Sequence, residues 1–466
     1  MRYRTESDIL GKIKVPSDAY YGAETERAKQ NFPISGLVEM PEIIKSYAII
    51  KRSAAKANMK LGVLDTRRGG AIVSACDEII DGKFADQFIV DVYQAGAGTS
   101  INMNLNEVIA NRAIEILGGK KGNYKIVHPN DHVNMSQSTN DTFHMNIHLS
   151  SYIAINEYLI PALSKLEGAL KKKSIEFKNA LKIGRTHLQD AVPITFGEEF
   201  SGYVGAISAV KKRLVEAQKL LLESPMGGTA IGTGENTPKG YKEEVIRQIN
   251  AYTKINFHKS SYMFKTMSTQ LEEMALSDAL YDTAVALDKI ANDLRLMGSG
   301  PIAGFADLIL PPVQPGSSIM PGKINPSMME MMNMVCFQVM GNCSIIDRCA
   351  DYGQLELNIY MVLIAHELMF SIKILSNGIN AFTKRAILGL KINFKRVNAN
   401  LNRDMSLATA LSPYIGYAKA AHVARRAFIE DKSVKDVAIE MHILDKKLLD
   451  KILDPKNFAI KKSRRK

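Results

Sequence analysis

Residues Ser261–Met297 read SYMFKTMSTQLEEMALSDALYDTAVALDKIANDLRLM and contain neither glycine nor proline. Glycine and proline are the residues that most often end a helix, so one helix is predicted from residue 261 to residue 298. A helix of this length cannot be stabilised by a small core. The stretch therefore predicts a mainly all-α fold built on a bundle of long helices that is continued across subunits.

Similar segments lie on both sides of this stretch. Loops that contain glycine and proline separate four further predicted helices, at 142–178, 197–224, 327–350 and 354–385. The segment Leu355–Phe370 is apolar on most faces and is expected in the middle of the bundle. Shorter helices are predicted outside the bundle, at Glu42–Leu61, Gly70–Ile80, from Ser100 to Gly118, and at Phe394–Leu401, Ala408–Leu411, Tyr417–Ile429, Val434–Glu440 and Lys446–Ile452.

The chain of 466 residues is long for one compact core. The change from short to long and back to short helices suggests an N-terminal domain at 1–140, a central helical-bundle domain at 141–393 and a small C-terminal helical domain with a basic tail at 394–466. The helix that ends near Gly118 carries four asparagines, which need hydrogen-bond partners if they are buried: Asn102, Asn104, Asn106 and Asn111.

Net charge is modest for the length, at +12 from 60 Lys and Arg against 48 Asp and Glu. The last eleven residues, Lys456–Lys466, hold six cations and no acid, so the body of the chain is close to balance. A solvated terminus is favoured over a nucleic-acid or membrane contact, which makes a nucleic-acid partner unlikely. The start MRYRTESDIL has no apolar signal core, and no membrane span is expected, so we expect a cytoplasmic protein.

The four cysteines form no C-x-x-C pair. Cys336, Cys343 and Cys349 lie close in sequence, but small buried thiols are favoured over an iron–sulfur cluster, and neither a zinc site nor a disulfide framework is indicated. We expect no metal and no cofactor.

The loop Gly316–Pro326, GSSIMPGKINP, concentrates reactive groups between two long helices. Its glycines and prolines allow close backbone approach and end the helices on either side. Lys323 and Asn325 can bind a carboxylate, while Ser317 and Ser318 offer hydroxyls that donate hydrogen bonds or accept a proton. The loop is either a mobile active-site loop or a solvated surface turn.

Three further loops carry small hydroxyls, amides or a histidine: Gly98-Thr99-Ser100, Ser138-Thr139-Asn140, and Gly184–Asp190 with Thr186 and His187. Each has a simple alternative explanation as a helix cap or a turn, and His187 alone is more typical of a structural residue. Together, the four loops predict a pocket for a small molecule with several negative charges.

Four stretches together resemble the aspartase/fumarase superfamily: Gly316–Pro326, Gly184–Pro193 (GRTHLQDAVP), Ser138–Asp141 (STND) and Asn102–Glu107 (NMNLNE). The resemblance implies a homotetramer of three-domain helical subunits, with a twenty-helix core and active sites that are each built from three chains. It also implies a dicarboxylate substrate and a reversible anti elimination of ammonia or water that gives fumarate.

Residue roles follow from the same resemblance. Ser317 would be the general base, and Asn140 and the catalytic His187 would sit near the leaving group. The β-carboxylate, which becomes an enediolate when the Cβ proton leaves, would be held by Thr99, Ser138, Thr139 and Ser318. The α-carboxylate would be held by Thr186, Lys323 and Asn325.

Within the superfamily, the sequence favours an aspartate ammonia-lyase, with a class II fumarate hydratase as the alternative. Ala97 stands where hydratases typically carry a serine, and Gly353–Asn358 (GQLELN) and Asn333 also resemble the ammonia-lyase. His128–Asp131 (HPND) instead resembles a secondary carboxylate site of hydratases. Tyr360–Val362 and Phe143–Met145 depart from the expected pattern, Phe143–Met145 by replacing a Phe-Pro-Thr turn.

Overall fold

Helices dominate the structure, a computed structural model that describes residues 2–457, and the predicted mainly all-α fold is confirmed. The helices, numbered along the chain, are α1 Ala23–Asn31, α2 Pro41–Lys60, α3 Thr66–Ile80, α4 Thr99–Ile116, α5 Thr139–Ala154, α6 Ile160–Glu176, α7 Phe196–Leu220, α8 Tyr241–Thr253, α9 Met263–Ser268, α10 Leu271–Met297, α11 Ser327–Asp351, α12 Met361–Phe382, α13 Phe394–Asn402, α14 Ser412–Ile415, α15 Tyr417–Ile429, α16 Val434–Glu440 and α17 Lys446–Ile452. Single π-helical turns at Ile155–Leu159 and Thr383–Ile387 join α5 to α6 and extend α12. The basic tail lies mostly outside the described residues.

The strands form four two-stranded pairs within the described residues. These are β1 Tyr3–Asp8 with β2 Gly11–Pro16, β3 Leu181–Thr186 with β4 Gln189–Thr195, β5 Glu223–Ser224 with β6 His258–Lys259, and β7 Leu308–Ile309 with β8 Lys391–Ile392. Only β5 and β6 run parallel.

The stretch from residue 261 to residue 298 is two helices, so the prediction of one helix was wrong. Thr269 is extended, with φ −117° and ψ 163°, between α9 and α10. The hydroxyl of Ser268 donates to the Phe264 carbonyl at 2.7 Å, and that of Thr269 to the Lys265 carbonyl at 3.0 Å. Serine and threonine side chains that bond locally to the backbone compete with helix propagation, so a helix can end without glycine or proline.

The predicted helix at 354–385 begins only at Met361, because side-chain amide bonds hold the preceding segment in another conformation. Asn358 donates to the Cys349 carbonyl at 2.9 Å and accepts from the Tyr360 N–H at 2.9 Å. Leu355 is 88% exposed, which contradicts its predicted place in the bundle. The later part of the same apolar segment is buried, as predicted, at Met361, Ile364, Ala365, Leu368 and Met369.

The region 181–195, predicted to be a loop, is the hairpin β3–β4. Its two-residue turn, His187 and Leu188, has positive φ angles of 54° and 59° but no Asn-Gly or Asp-Gly signal. Pro193 within β4 also argued against a strand. The hairpin was not predicted because the turn lacks a typical hairpin sequence and because proline is uncommon inside a strand.

The chain forms two compact units, and the predicted three-part division stays a prediction. Among the described residues, unit 1 comprises 2–161, 212–284 and 337–376, and unit 2 comprises 162–211, 285–336 and 377–457. In unit 1, α2 packs against α3, α5 and α8. Unit 2 includes a small apolar core of the C-terminal helices, whose fully buried members are Leu411, Val423, Ala427, Val437, Ala438 and Leu449.

The four asparagines of α4 are buried and each makes at least one hydrogen bond, and of their side-chain polar atoms only the Asn106 Oδ1 lacks a partner among the described residues. Asn102 accepts from Tyr47 and Lys51, both at 2.7 Å, and Asn104 accepts from the Ile89 N–H at 3.1 Å. Asn111 donates to the Tyr20 carbonyl at 2.8 Å. These bonds hold α4 against α2 and the N-terminal loops, so their role is structural.

One segment of the described chain, Met361–Ile387, is long and apolar enough to span a bilayer by length and composition alone. Of its most apolar window, 67% is buried against the rest of the chain. Core helices of soluble proteins share this property, so the feature is weak evidence for a membrane span.

Candidate active site

The loop Gly316–Pro326 is a compact turn in which Ser317 accepts two backbone hydrogen bonds. Its Oγ lies 3.2 Å from the Ile319 nitrogen and 3.0 Å from the Met320 nitrogen, and both N–H groups donate to it. Two donors on one oxygen favour the deprotonated, negatively charged form over the hydroxyl. The backbone of the loop is therefore arranged to lower the cost of forming an alkoxide at Ser317.

Hydrogen bonds between the two ends of this loop hold it closed. The Gly316 N–H donates to the Lys323 carbonyl at 2.8 Å, and the Asn325 amide donates to the Gly316 carbonyl at 2.7 Å. A Cβ at Gly316 would lie 2.5 Å from the Lys323 carbonyl oxygen, so glycine is required at this close approach. Ser318 and Lys323 project from the closed loop as exposed residues.

The hairpin β3–β4 presents Thr186 and His187 at its exposed tip. Arg185, the neighbour of Thr186, is fixed by an ion pair with Asp307 at 2.5 Å and lies over the ring of Phe305. His187 itself has the left-handed backbone conformation, with φ 54°, which costs a non-glycine residue free energy. The tip is thus a strained turn, and the ion pair of Arg185 holds the adjacent part of strand β3 in place.

In unit 1, Thr99 begins α4 directly after a tight turn. Gly98 has φ 76°, and a Cβ there would lie 2.5 Å from the ring of Phe143 on α5. The Thr99 hydroxyl donates to the Gly96 carbonyl at 3.2 Å and is exposed. The contact between Gly98 and Phe143 brings the start of α4 close to the first turns of α5.

Ser138 caps α5 through a reciprocal capping box with Asp141. The Ser138 Oγ accepts from the Asn140 N–H at 3.2 Å, and the Asp141 carboxylate accepts from the Ser138 N–H at 3.0 Å. The Asn140 side chain donates to the Ala230 carbonyl at 2.7 Å. Ser138, Thr139 and Asn140 are half-buried around this helix start.

Asp141 is a residue whose importance the sequence did not reveal. Its second oxygen accepts from the Gly227 and Thr229 N–H groups at 3.0 and 3.1 Å, so it ties the following glycine-rich loop to the α5 start. Burial raises its pKa to about 7, and the three backbone donors oppose that shift. The only sequence signal was its place three residues after Ser138.

Lys51 is a second residue that the sequence did not single out. It is fully buried on α2, and its Nζ donates to Asn102 at 2.7 Å and to Asn134 at 2.8 Å. Burial lowers the pKa of its ammonium to about 7. A lysine one helical turn after Tyr47, within an apolar face, was the available signal.

The predicted site residues fall into two sets. Thr99, Ser138, Thr139 and Asn140 lie at two adjoining helix starts in unit 1. Thr186 and His187 at the hairpin tip belong to unit 2, as do Ser317, Ser318, Lys323 and Asn325 in the loop. Each set gathers neutral hydrogen-bond donors, and the second adds the Lys323 ammonium, so each set by itself has groups that can bind a carboxylate.

Comparisons with known proteins agree with this chemistry. A family profile described as lyase matches residues 11–341, and one described as fumarase C C-terminus matches 407–459. The mitochondrial fumarate hydratase of Rattus norvegicus is 44% identical over 458 residues, which cover 98% of this chain and 90% of the relative. An aspartate ammonia-lyase of a Bacillus species is 44% identical over 452 residues, which cover 97% of this chain and 96% of the relative.

The crystal structure of class II fumarase from Schistosoma mansoni has a TM-score of 0.95 to this chain at 36% identity, covering 99% of this chain and all of that one. Identity to the hydratase and to the ammonia-lyase is the same. Overall likeness therefore does not separate the two activities.

Proposed function

Because the chain belongs to the aspartase/fumarase superfamily of lyases, we propose that it catalyses the reversible anti elimination of ammonia from L-aspartate to give fumarate. We choose ammonia over water as the leaving group because of Ala97, a buried residue without a hydroxyl two positions before Thr99. The observation that supports lyase chemistry is the pair of backbone donors on Ser317.

Ser317 acts as the general base in this proposal. Its alkoxide takes the proton from Cβ of the substrate, and the electron pair of the broken C–H bond passes into the adjacent β-carboxylate. A serine hydroxyl is too weakly acidic to supply an alkoxide in bulk water. The Ile319 and Met320 N–H groups stabilise the charged form, and exclusion of water by the substrate strengthens both bonds.

The intermediate carries two negative charges on the former β-carboxylate. Preorganised neutral donors stabilise such charge without reorganisation, each by about 3 kcal/mol by analogy with an oxyanion hole. Thr99, Ser138, Thr139 and Ser318 have this role. Three of these four lie at the adjoining starts of α4 and α5, where the helix ends also favour negative charge.

Collapse of the intermediate breaks the Cα–N bond, and the amine leaves as ammonia with that electron pair. Asn140 and His187 lie near the leaving group, while Thr186, Lys323 and Asn325 hold the α-carboxylate. The proton on Ser317 passes to ammonia or solvent, so the products are fumarate and ammonium.

A homotetramer completes the proposal, with each active site assembled from three chains. One copy would contribute the helix starts that carry Thr99 and Ser138, and others would contribute the hairpin tip and the Gly316–Pro326 loop. In this arrangement the exposed residues of the loop, Ser318 and Lys323, are covered by substrate and neighbouring chains.

Ala97 supports ammonia over water because a nucleophilic water needs a hydrogen-bond acceptor or donor to orient it. The methyl group of Ala97 gives it neither, while the backbone of the same turn is fixed by the Ala97 N–H bond to Ile359 at 2.8 Å. Asn333, the other residue that resembles the ammonia-lyase, donates to Asp288 at 2.6 Å and joins two long helices.

Fumarate hydratase is the second candidate. The His128–Asp131 segment favours it, because His128 there accepts from the Asn130 and Asp131 N–H groups, both at 3.2 Å, and forms an ordered polar turn. The equal identity to hydratase and ammonia-lyase relatives leaves this alternative with equal support from overall likeness.

One experiment tests both candidates. The purified protein is incubated with L-aspartate and, separately, with L-malate, while fumarate absorbance and ammonium release are followed. We expect fumarate and ammonium in equal amounts from aspartate, and much slower turnover of malate. Faster turnover of malate would assign the hydratase, and no turnover of either would refute lyase activity on these substrates.

A further inference from the structure

Two histidines of α5 and one glutamate of α10 form a buried cluster in unit 1. His144 and His148 are four residues apart and share one helix face. The Nε2 atoms of His144 and His148 lie 3.0 Å and 2.9 Å from the Oε1 of Glu273. All three side chains have no exposed surface, and none has a part in the proposed elimination.

The hydrogen bond of His148 to the backbone fixes which of its nitrogens has a lone pair. Its Nδ1 lies 2.9 Å from the Glu223 carbonyl oxygen, which can only accept, so Nδ1 carries the proton. In the neutral ring, the Nε2 lone pair then faces the Glu273 carboxylate. Such backbone anchoring of the far nitrogen is the arrangement found around metal-bound histidines.

Both histidine Nε2 atoms approach the same Glu273 oxygen, Oε1, while Oε2 has no hydrogen-bond partner among the described residues. A carboxylate buried without hydrogen bonds is costly unless a cation compensates it. Two nearby hydroxyls, Ser151 and Ser277, are also buried and unpaired.

These hydroxyls extend the cluster along both helices. Ser151 is seven residues after His144 and three after His148, and Ser277 is four after Glu273, so each lies on the face of its own helix that carries the cluster. Buried hydroxyls are normally hydrogen-bonded, so two unpaired ones on the faces that carry the cluster point to a missing partner there.

We propose that His144, His148 and Glu273 bind a divalent transition metal ion of the Zn²⁺ class. Two imidazoles and one carboxylate are a common ligand set for Zn²⁺ and for Co²⁺, which takes similar sites. The ion would join α5 to α10 inside the core, which makes its role structural. His144 belongs to Phe143–Met145, which departs from the Phe-Pro-Thr pattern. Metal binding explains a histidine at this position, which has no part in the elimination.

The competing explanation is a proton in place of the metal, with an imidazolium paired to the Glu273 carboxylate. The two explanations differ in uptake of metal. The purified, chelator-treated protein is equilibrated with ZnCl₂ or CoCl₂, passed through a desalting column and assayed by elemental analysis. We expect one ion per chain, a rise in melting temperature with Zn²⁺, and visible absorption bands of low-symmetry, nitrogen-ligated Co²⁺.

Variants locate the ion. Glu273→Gln and His144→Gln each replace one ligand by a neutral amide of similar volume, and we expect metal affinity to fall by at least about tenfold to a hundredfold. The control is His366→Asn, a half-buried histidine of α12 outside the cluster, which should bind metal as the natural chain does.

Two results would overturn the proposal. One is the absence of Zn²⁺ and Co²⁺ uptake by the natural chain, which would leave the proton-linked pair. The other is unchanged metal affinity in both ligand variants. If a variant does not fold, the Co²⁺ spectrum of the natural chain still decides, because an ion held elsewhere by oxygen ligands alone gives only weak octahedral bands.

Discussion

The backbone N–H of Ala97 donates a 2.8 Å hydrogen bond to the carbonyl oxygen of Ile359. Gly96 packs against the same residue so closely that a Cβ would lie 2.9 Å from the Ile359 Cβ. The turn at Ala97 is therefore joined directly to the residue that follows Gly353–Asn358, the second segment whose sequence resembles the ammonia-lyase. The side chain at 97 can change while this backbone bond remains.

Ala97→Ser tests the basis of the ammonia assignment. Serine adds one hydroxyl without altering the backbone bond, and this hydroxyl can orient a water. We expect kcat/KM for L-aspartate to fall about tenfold and the rate with L-malate to rise, a change in the range that one hydroxyl provides. Ala95→Ser, two residues earlier in the same segment, is the matched control. An unchanged ratio of the two activities would remove residue 97 from the choice of leaving group.

Ser317→Ala removes the proposed base. Loss of a general base lowers turnover by roughly 10²- to 10⁴-fold, and we expect a fall in this range at saturating substrate. The fold should be retained, as judged by circular dichroism and oligomeric state, because the hydroxyl is not part of the core. Ser7→Ala, at an exposed serine of β1 outside the proposed site, is the control and should leave kcat and KM unchanged. A near-normal rate in Ser317→Ala would exclude the base role.

Asp141→Asn tests the hydrogen bonds that connect the start of α5 to the loop that begins at Gly227. The asparagine NH2 group would face either the Ser138 N–H or the N–H groups of Gly227 and Thr229, so at least one donor loses its acceptor. We expect a loss of about 1–3 kcal/mol in the free energy of unfolding, measured by urea denaturation. Faster hydrogen exchange at 227–234 should accompany it. Asp131→Asn, at an exposed aspartate, is the control and should leave both quantities unchanged.

Glu39 predicts a pH dependence of stability. Its carboxyl is buried, both oxygens lack hydrogen-bond partners, and burial raises its pKa to about 8. The folded chain therefore keeps a proton that the unfolded chain releases near pH 4, so this residue's contribution to stability is largest below about pH 4 and falls as the pH rises toward 8.

Glu39→Gln removes this titration. We expect the variant to gain stability relative to the natural chain between pH 5 and pH 8, by on the order of 2–4 kcal/mol at the upper end. Denaturation at several pH values measures the difference. Glu42→Gln, which lines the same cavity of about 350 Å³, serves as the control. A pH-independent difference between Glu39→Gln and the natural chain would contradict the assignment.

Local patterns in the sequence were enough to predict most helices. The ends of α2, α15, α16 and α17 fall within a residue of the predictions, because Gly, Pro and capping residues mark them. The site loops could be recognised because hydroxyls, amides and glycines are concentrated within a few residues of each other.

Other features depend on contacts that no local pattern contains. The break at Thr269 comes from two side chains bonding to the preceding turn, and the β3–β4 hairpin depends on partners such as Asp307 that fix Arg185 from far along the chain. The histidine–glutamate cluster joins residues more than a hundred positions apart, so only the packing of α5 on α10 brings them together.

The contact between Gly98 and Phe143 makes these two positions interdependent in evolution. With phenylalanine at 143, any side chain at 98 would collide with the ring, and the φ of 76° at Gly98 adds backbone strain for any residue but glycine. A smaller residue at 143 removes the collision and leaves the strain, so a change at 98 costs less after a change at 143 than before it. Laboratory evolution of the turn that carries Thr99 should accordingly accumulate changes at Phe143 before any change at Gly98 survives.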